Sequence, residues 1–60
     1  MRNEFIEVTI IDGTKAIINV NTIQVLTPKN NGCEIYFVQG GTTKALVKET
    51  YEDLKRLIFE

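Results

Sequence analysis

The chain contains no histidine, no serine and no tryptophan, and only one cysteine and one proline. Each gap removes a class of chemistry. Without histidine or serine, neither a Ser-His-Asp triad nor a Cys-His pair can be assembled. Cys33 stands alone, so no disulfide forms within the chain, and a single thiol without histidine is not a metal site. A reactive cysteine needs an electropositive setting, and no basic cluster flanks this one, so an inert buried thiol is expected. Gly40-Gly41 lacks the following Lys-Ser/Thr and the strand-to-helix context of a phosphate loop. Glu7, Asp12 and Glu34 fall on expected strands and turns, where solvated surface is the ordinary role of a carboxylate. These gaps together predict a protein that is not an enzyme and carries no cofactor and no metal.

Charge of either sign is also scarce in excess. Seven basic against eight acidic side chains leave a formal charge of −1. Proteins that hold DNA or RNA through phosphates usually carry a basic surplus, so nucleic acid is not the expected partner. No apolar run is long enough to span a bilayer, and Met1-Arg2-Asn3-Glu4 opens without a signal-peptide core. A free cysteine fits a reducing compartment, so the expected location is cytoplasmic with no membrane insertion.

What is present is short alternating segments punctuated by turns, within a hydrophobic content of 43%. Phe5 to Ile11 places Ile6, Val8 and Ile10 on one face and Phe5, Glu7, Thr9 and Ile11 on the other. Asp12-Gly13 is a hairpin signal, since glycine takes positive φ freely. Lys15 to Val20 should return antiparallel, with a bend over Asn19-Val20-Asn21-Thr22. Ile23 to Thr27 reads as a third strand with Ile23 and Val25 facing one way, ended by Pro28. A turn over Lys29-Asn30-Asn31-Gly32 leads to a fourth strand, Cys33 to Val38. Gln39-Gly40-Gly41 then leads to a fifth, Thr42 to Lys48.

The pattern changes after Lys48. Thr50 is a good N-cap with Asp53 in the capping-box position. Tyr51, Leu54, Leu57 and Ile58 recur at helical spacing, and a helix is predicted over about 50–59. Glu52 stands four residues before Arg56, a favourable spacing for a surface pair. The expected fold is mainly β (α+β): a five-stranded antiparallel meander or small SH3-like barrel with one C-terminal helix, forming a single domain over residues 1–60.

Ile10-Ile11, Ile17-Ile18 and Tyr36-Phe37-Val38 are apolar on both strand faces, whereas a half-exposed sheet alternates cleanly. A domain this short buries only about 60% of its unfolded surface, and such folds commonly gain support from a second subunit. The second-face residues Phe5, Ile11, Ile17 and Tyr36 are therefore the candidate interface of a homo-oligomer or of docking on a larger assembly. The alternative is a small-barrel regulator that binds nucleic acid, with Tyr36 and Phe37 as a stacking platform and Lys44, Lys48, Lys55 and Arg56 as a modest basic patch.

The chain resembles the small flagellar FlbD-type proteins, short bacterial chains encoded among motility genes. The likeness lies in Ile6-Glu7-Val8-Thr9, the Asp12-Gly13 turn, Ile18-Asn19 followed by Ile23, the stretch from Ile35 to Gly41, and Leu46-Val47-Lys48-Glu49-Thr50. These are turn and core positions, and the resemblance implies a motility-related role with no catalytic signature. Ile23 to Ile58 is also similar to the first half of LytTR-type domains, through Glu49-Thr50-Tyr51-Glu52-Asp53-Leu54. That implies a shared β-β-α architecture, without the half that contacts DNA in that family.

Overall fold

Turn chemistry sets the first hairpin. A computed structural model describes residues 3–38 and 43–60. Strands β1 (Phe5–Thr9) and β2 (Lys15–Asn19) pair antiparallel from Phe5↔Asn19 to Thr9↔Lys15. The intervening loop closes through Gly13 N–H to the Ile10 carbonyl at 2.8 Å and Thr14 N–H to Asp12 Oδ1 at 2.9 Å. Gly13 sits at φ +98°, the backbone region for which glycine is suited. The Thr14 N–H also holds the Asp12 carboxyl below its ordinary range.

The expected bend is a 3-10 turn over Val20–Thr22, with Asn19 Oδ1 accepting from Asn21 N–H at 2.9 Å. Two expected strands are therefore shorter than the apolar runs. β1 stops at Thr9, leaving Ile10 in an isolated bridge to Val47, and β2 stops before Val20.

The second sheet is the meander β3 (Ile23–Lys29), β4 (Gly32–Phe37) and β5 (Thr43–Val47), in that spatial order. The expected turn at Gln39-Gly40-Gly41 and the strand start at Thr42 lie outside the described residues. Lys48 falls after β5 rather than within it.

Two expectations for β3 are corrected. Pro28 does not end the strand but pairs with Cys33 inside it. β3 is at the sheet edge, where a residue without an N–H is tolerated. Ile23 and Val25 do not share a face. The register slips between them, Ile23 opposing Phe37 and Val25 opposing Tyr36, so Gln24 is the extra residue of a bulge. The shift leaves Val25 exposed and brings Leu26 against the core beside Ile23.

The described residues thus form a small β-rich α+β fold: five strands in two antiparallel sheets and a C-terminal helix. The sheets meet at one corner. Ile11 N–H donates to the Leu46 carbonyl at 3.0 Å and Lys48 N–H to the Thr9 carbonyl at 2.8 Å. Among the described residues, no helix is long and apolar enough to cross a membrane.

Helix α1 (Tyr51–Phe59) begins at the expected capping box. Asp53 N–H donates to Thr50 Oγ1 at 3.1 Å, and Thr50 N–H to Asp53 Oδ2 at 3.3 Å. Thr50→Ala is expected to cost about 1 kcal/mol, read as a lower urea midpoint; an unchanged midpoint would count against this cap. The buried stripe is narrower than the spacing implied. Leu54 and Ile58 enter the core, whereas Tyr51 and Leu57 remain on the exposed flanks. The ion pairs also differ from the Glu52–Arg56 expectation. Arg56 Nη2 lies 2.6 Å from Asp53 Oδ1, and Lys55 lies 3.9 Å from Glu52. Arg56 meets Asp53 at three-residue spacing, where the cap already holds the Asp53 carboxylate.

The core is Ile6, Val8, Ile18, Val20, Cys33, Ile35, Val47, Leu54 and Ile58, drawn from both sheets, the 3-10 turn and the helix. The double-faced run Ile17-Ile18 resolves into one residue in and one out: Ile18 is buried, and its neighbour Ile17 is 73% exposed.

Candidate functional site

Nucleophilic and metal chemistry find no assembled site among the described residues. Cys33 is fully buried at the centre of the core, and burial pushes its thiol up from the ordinary value. No group of three acids and cysteine gathers as metal ligands among the described residues. Glu7, Asp12 and Glu34 do not converge: Glu7 is exposed on β1, Asp12 serves the hairpin turn, and Glu34 lies on the outer face of the other sheet.

Glu34 organises that outer face. Tyr36 Oη donates to Glu34 Oε1 at 2.9 Å, and Lys29 and Lys44 each place Nζ 3.6 Å from the carboxylate. Lys44 Nζ also lies 6.0 Å from the Tyr36 ring centroid. The hydrogen bond from Tyr36 leads in holding the Glu34 carboxyl below its ordinary range; partial desolvation opposes it and the two lysines add to it. Tyr36 therefore belongs to a polar cluster with an ammonium by its ring. Phe37 packs against the core, so the two adjacent aromatics do not share one face.

Two open grooves flank the helix. The smaller, about 390 Å³, is lined by Asn3, Glu49, Asp53, Arg56, Leu57 and Glu60. Its polar groups largely serve the fold: Asn3 Nδ2 donates to the Leu57 carbonyl, Arg56 pairs with Asp53, and Glu49 Oε1 accepts from Thr9 N–H at 2.8 Å. The larger, about 600 Å³, runs past Pro28, Asn30, Lys48 and Tyr51, with Lys29 and Glu52 bringing opposite charges to it.

Desolvation acts to raise the Glu49 carboxyl, but the Thr9 and Glu49 N–H groups, with Lys15 nearby, leave it lowered overall. A carboxyl lowered on folding adds stability that is complete above its unfolded pKa and lost as pH falls through the folded value. Stability should therefore decline from about pH 5 downwards, and Glu49→Gln should flatten part of that decline. Parallel melting-temperature profiles for the two proteins would count against the Thr9–Glu49 link.

Of the four expected interface residues, the fold brings two together. Phe5, 60% exposed, pairs with Asn19, and Ile17 pairs with Glu7, which makes them diagonal neighbours on the outer face of the first sheet. Ile11 is exposed at the corner where the sheets join, and Tyr36 lies in the Glu34 cluster. Phe59 is a further exposed aromatic that helical periodicity left unassigned. Asn3 N–H donates to the Ile58 carbonyl at 2.8 Å, which ties the helix end to the chain two residues before Phe5. Phe59 follows directly on buried Ile58, and adjacent helical positions point about 100° apart.

The class these features define is a small β-rich domain that displays apolar side chains on an open sheet face. No protein-family model matches the chain, and no curated protein or solved structure does.

Proposed function

We propose that this chain is a small non-catalytic interaction module that self-associates and docks on a larger assembly. The observation that carries the reading is that Phe5 and Ile17 are diagonal neighbours on one sheet face, both largely exposed, in a 60-residue chain. Isolated apolar residues on a surface are ordinary; adjacent ones on a flat strand pair favour association. The buried thiol and the structural use of Glu34, Glu49 and Asp53 support a non-catalytic role. The reduced, buried Cys33 suits the cytoplasm. A motility-related bacterial role rests on the resemblance to FlbD-type proteins.

Light scattering after gel filtration over a range of concentrations tests the reading. The mass should rise above the 6.8 kDa of one chain as concentration increases. A constant single-chain mass would overturn self-association.

Nucleic-acid binding is the other reading. Lys29 and Lys44 are both spent on Glu34, which leaves less free positive charge for phosphates. Fluorescence titration with single- and double-stranded DNA and RNA should show no binding at low salt. Binding that weakens steeply with added salt would favour the regulator instead.

A further inference from the structure

The strand edges of this fold are not equally protected. Edges invite pairing with another chain, and natural proteins blunt them with proline, bulges, charge or covering segments. β3 carries a bulge at Gln24, then Pro28, then Lys29. The outer edge of β5 is covered at one end by the Ile10–Val47 bridge and the Ile11–Leu46 bond. The outer side of β1 is closed at its end: Thr9 N–H donates to Glu49, and its carbonyl accepts from Lys48. Just before β1, Asn3 is held by Ile58.

Among the described residues, β2 carries no proline, no bulge and no covering segment, and its one charge, Lys15, stands at the strand's first position with Nζ turned to Thr9 Oγ1. Its ladder phase follows from two bonds that flank the hairpin strands, Val20 N–H to the Glu4 carbonyl at 2.8 Å and Ile10 N–H to the Thr14 carbonyl at 2.7 Å. In an antiparallel pair, bonded and non-bonded positions alternate. Ala16 and Ile18 thus bond β1, and Lys15, Ile17 and Asn19 direct their main-chain groups outward. On that side, Thr22 Oγ1 donates to the Asn19 carbonyl at 2.8 Å. The midpoint of the open edge is Ile17, the most exposed large apolar side chain of the described residues.

We infer that β2 pairs antiparallel with β2 of a second copy, about a two-fold axis at Ile17. The inference rests on the self-association proposed above and names its geometry. The strand is self-complementary in that register. Ile17 opposes Ile17 of the second copy, and each Lys15 opposes an Asn19, so no like charges meet. The exposed face of β1–β2 holds Glu7 and Lys15, one charge of each sign, so a second identical face brings no net repulsion. Pairing extends the hairpins into a four-stranded sheet, gives the outward main-chain groups about four new bonds beside the Asn19 carbonyls that Thr22 already holds, and joins the two Phe5–Ile17 faces. A standard interface buries about 800 Å² per partner, which is about a fifth of this chain's 4155 Å². A five-residue edge gives less than that, so the dimer is weak and concentration-dependent.

The test compares the wild-type chain with three variants. Ile17→Lys places a charge at the axis of an exposed position, so folding, checked by circular dichroism, should be retained. Its dimer dissociation constant in sedimentation experiments should rise about tenfold or more. Under mild oxidation, Ile17→Cys should give a covalent dimer linked through position 17, because opposed bonded residues sit about 5.5 Å apart between Cα atoms, within disulfide reach. Val25→Cys, on the protected edge, should link much more slowly. A wild-type dimer that persists in Ile17→Lys, or equal cross-linking at positions 17 and 25, would overturn the edge pairing and leave self-association standing. A wild-type chain that stays monomeric at every concentration would overturn both.

Discussion

Gly32→Ala is expected to abolish most of the folded population. Gly32 is buried where β4 begins, at φ +151°, a backbone conformation that residues with a Cβ rarely adopt. A Cβ there would sit well inside contact distance of the Val47 carbonyl oxygen and close to Lys48 Cα. Both obstacles are backbone, of the last residue of β5 and the residue after it, which cannot swing aside as a flexible side chain would. Strain at such a φ costs about 1–3 kcal/mol and forced overpacking a similar amount. At roughly 0.05–0.15 kcal/mol per residue, the 60-residue chain has about 3–9 kcal/mol in total. The comparison is Gly13→Ala, at φ +98° with open space around the missing Cβ. That variant should lose only the conformational part, about 1–2 kcal/mol. Urea unfolding followed by circular dichroism reads both, and similar losses would show that the β4–β5 contact yields.

Leu54→Ala should follow closely, at about 2–4 kcal/mol for a fully buried leucine. Leu54 is 0% exposed and lies in one core with Val8, Ile35, Val47 and Ile58, so its removal leaves a cavity between the helix and both sheets. Leu57, three residues along the same helix, is 37% exposed. Leu57→Ala should cost less than about 1 kcal/mol, because much of its surface already meets water. Equal losses would mean that the helix is rotated from the position described.

The Leu54 prediction falls where spacing alone was ambiguous. Tyr51, Leu54, Leu57 and Ile58 share a helical periodicity, yet only Leu54 and Ile58 lie under the sheets. Over 9 residues the periodicity allows a broad apolar arc, and the surface it meets selects the stripe. Pro28 shows the same dependence. As a breaker it should end a strand, and at an edge its missing N–H removes nothing the sheet requires. Val25 was placed with Ile23 by alternation, and one extra residue at Gln24 reversed it.

The candidate surface was legible to a similar depth. A doubled apolar run identified Ile17, and strand alternation Phe5, as surplus to a one-sided strand. Strand pairing then made them diagonal neighbours, while Tyr36 went to Glu34, Lys29 and Lys44 across three strands. Phe59 had no sequence signal, since its exposure follows from the helix's rotation about Leu54 and Ile58.

By itself the sequence determined the features whose causes act within a few residues: the Asp12-Gly13 loop, the Asn19 bend, the Thr50–Asp53 cap, the alternation of Ile6 and Val8, and the β-rich class with its C-terminal helix. Only tertiary structure decided the division into two sheets, the corner bonds from Ile11 and Lys48, the bulge at Gln24, and which strand edge stayed open. Those features depend on segments as far apart as Thr9 and Lys48 meeting in one register, and local propensity carries no information about that meeting.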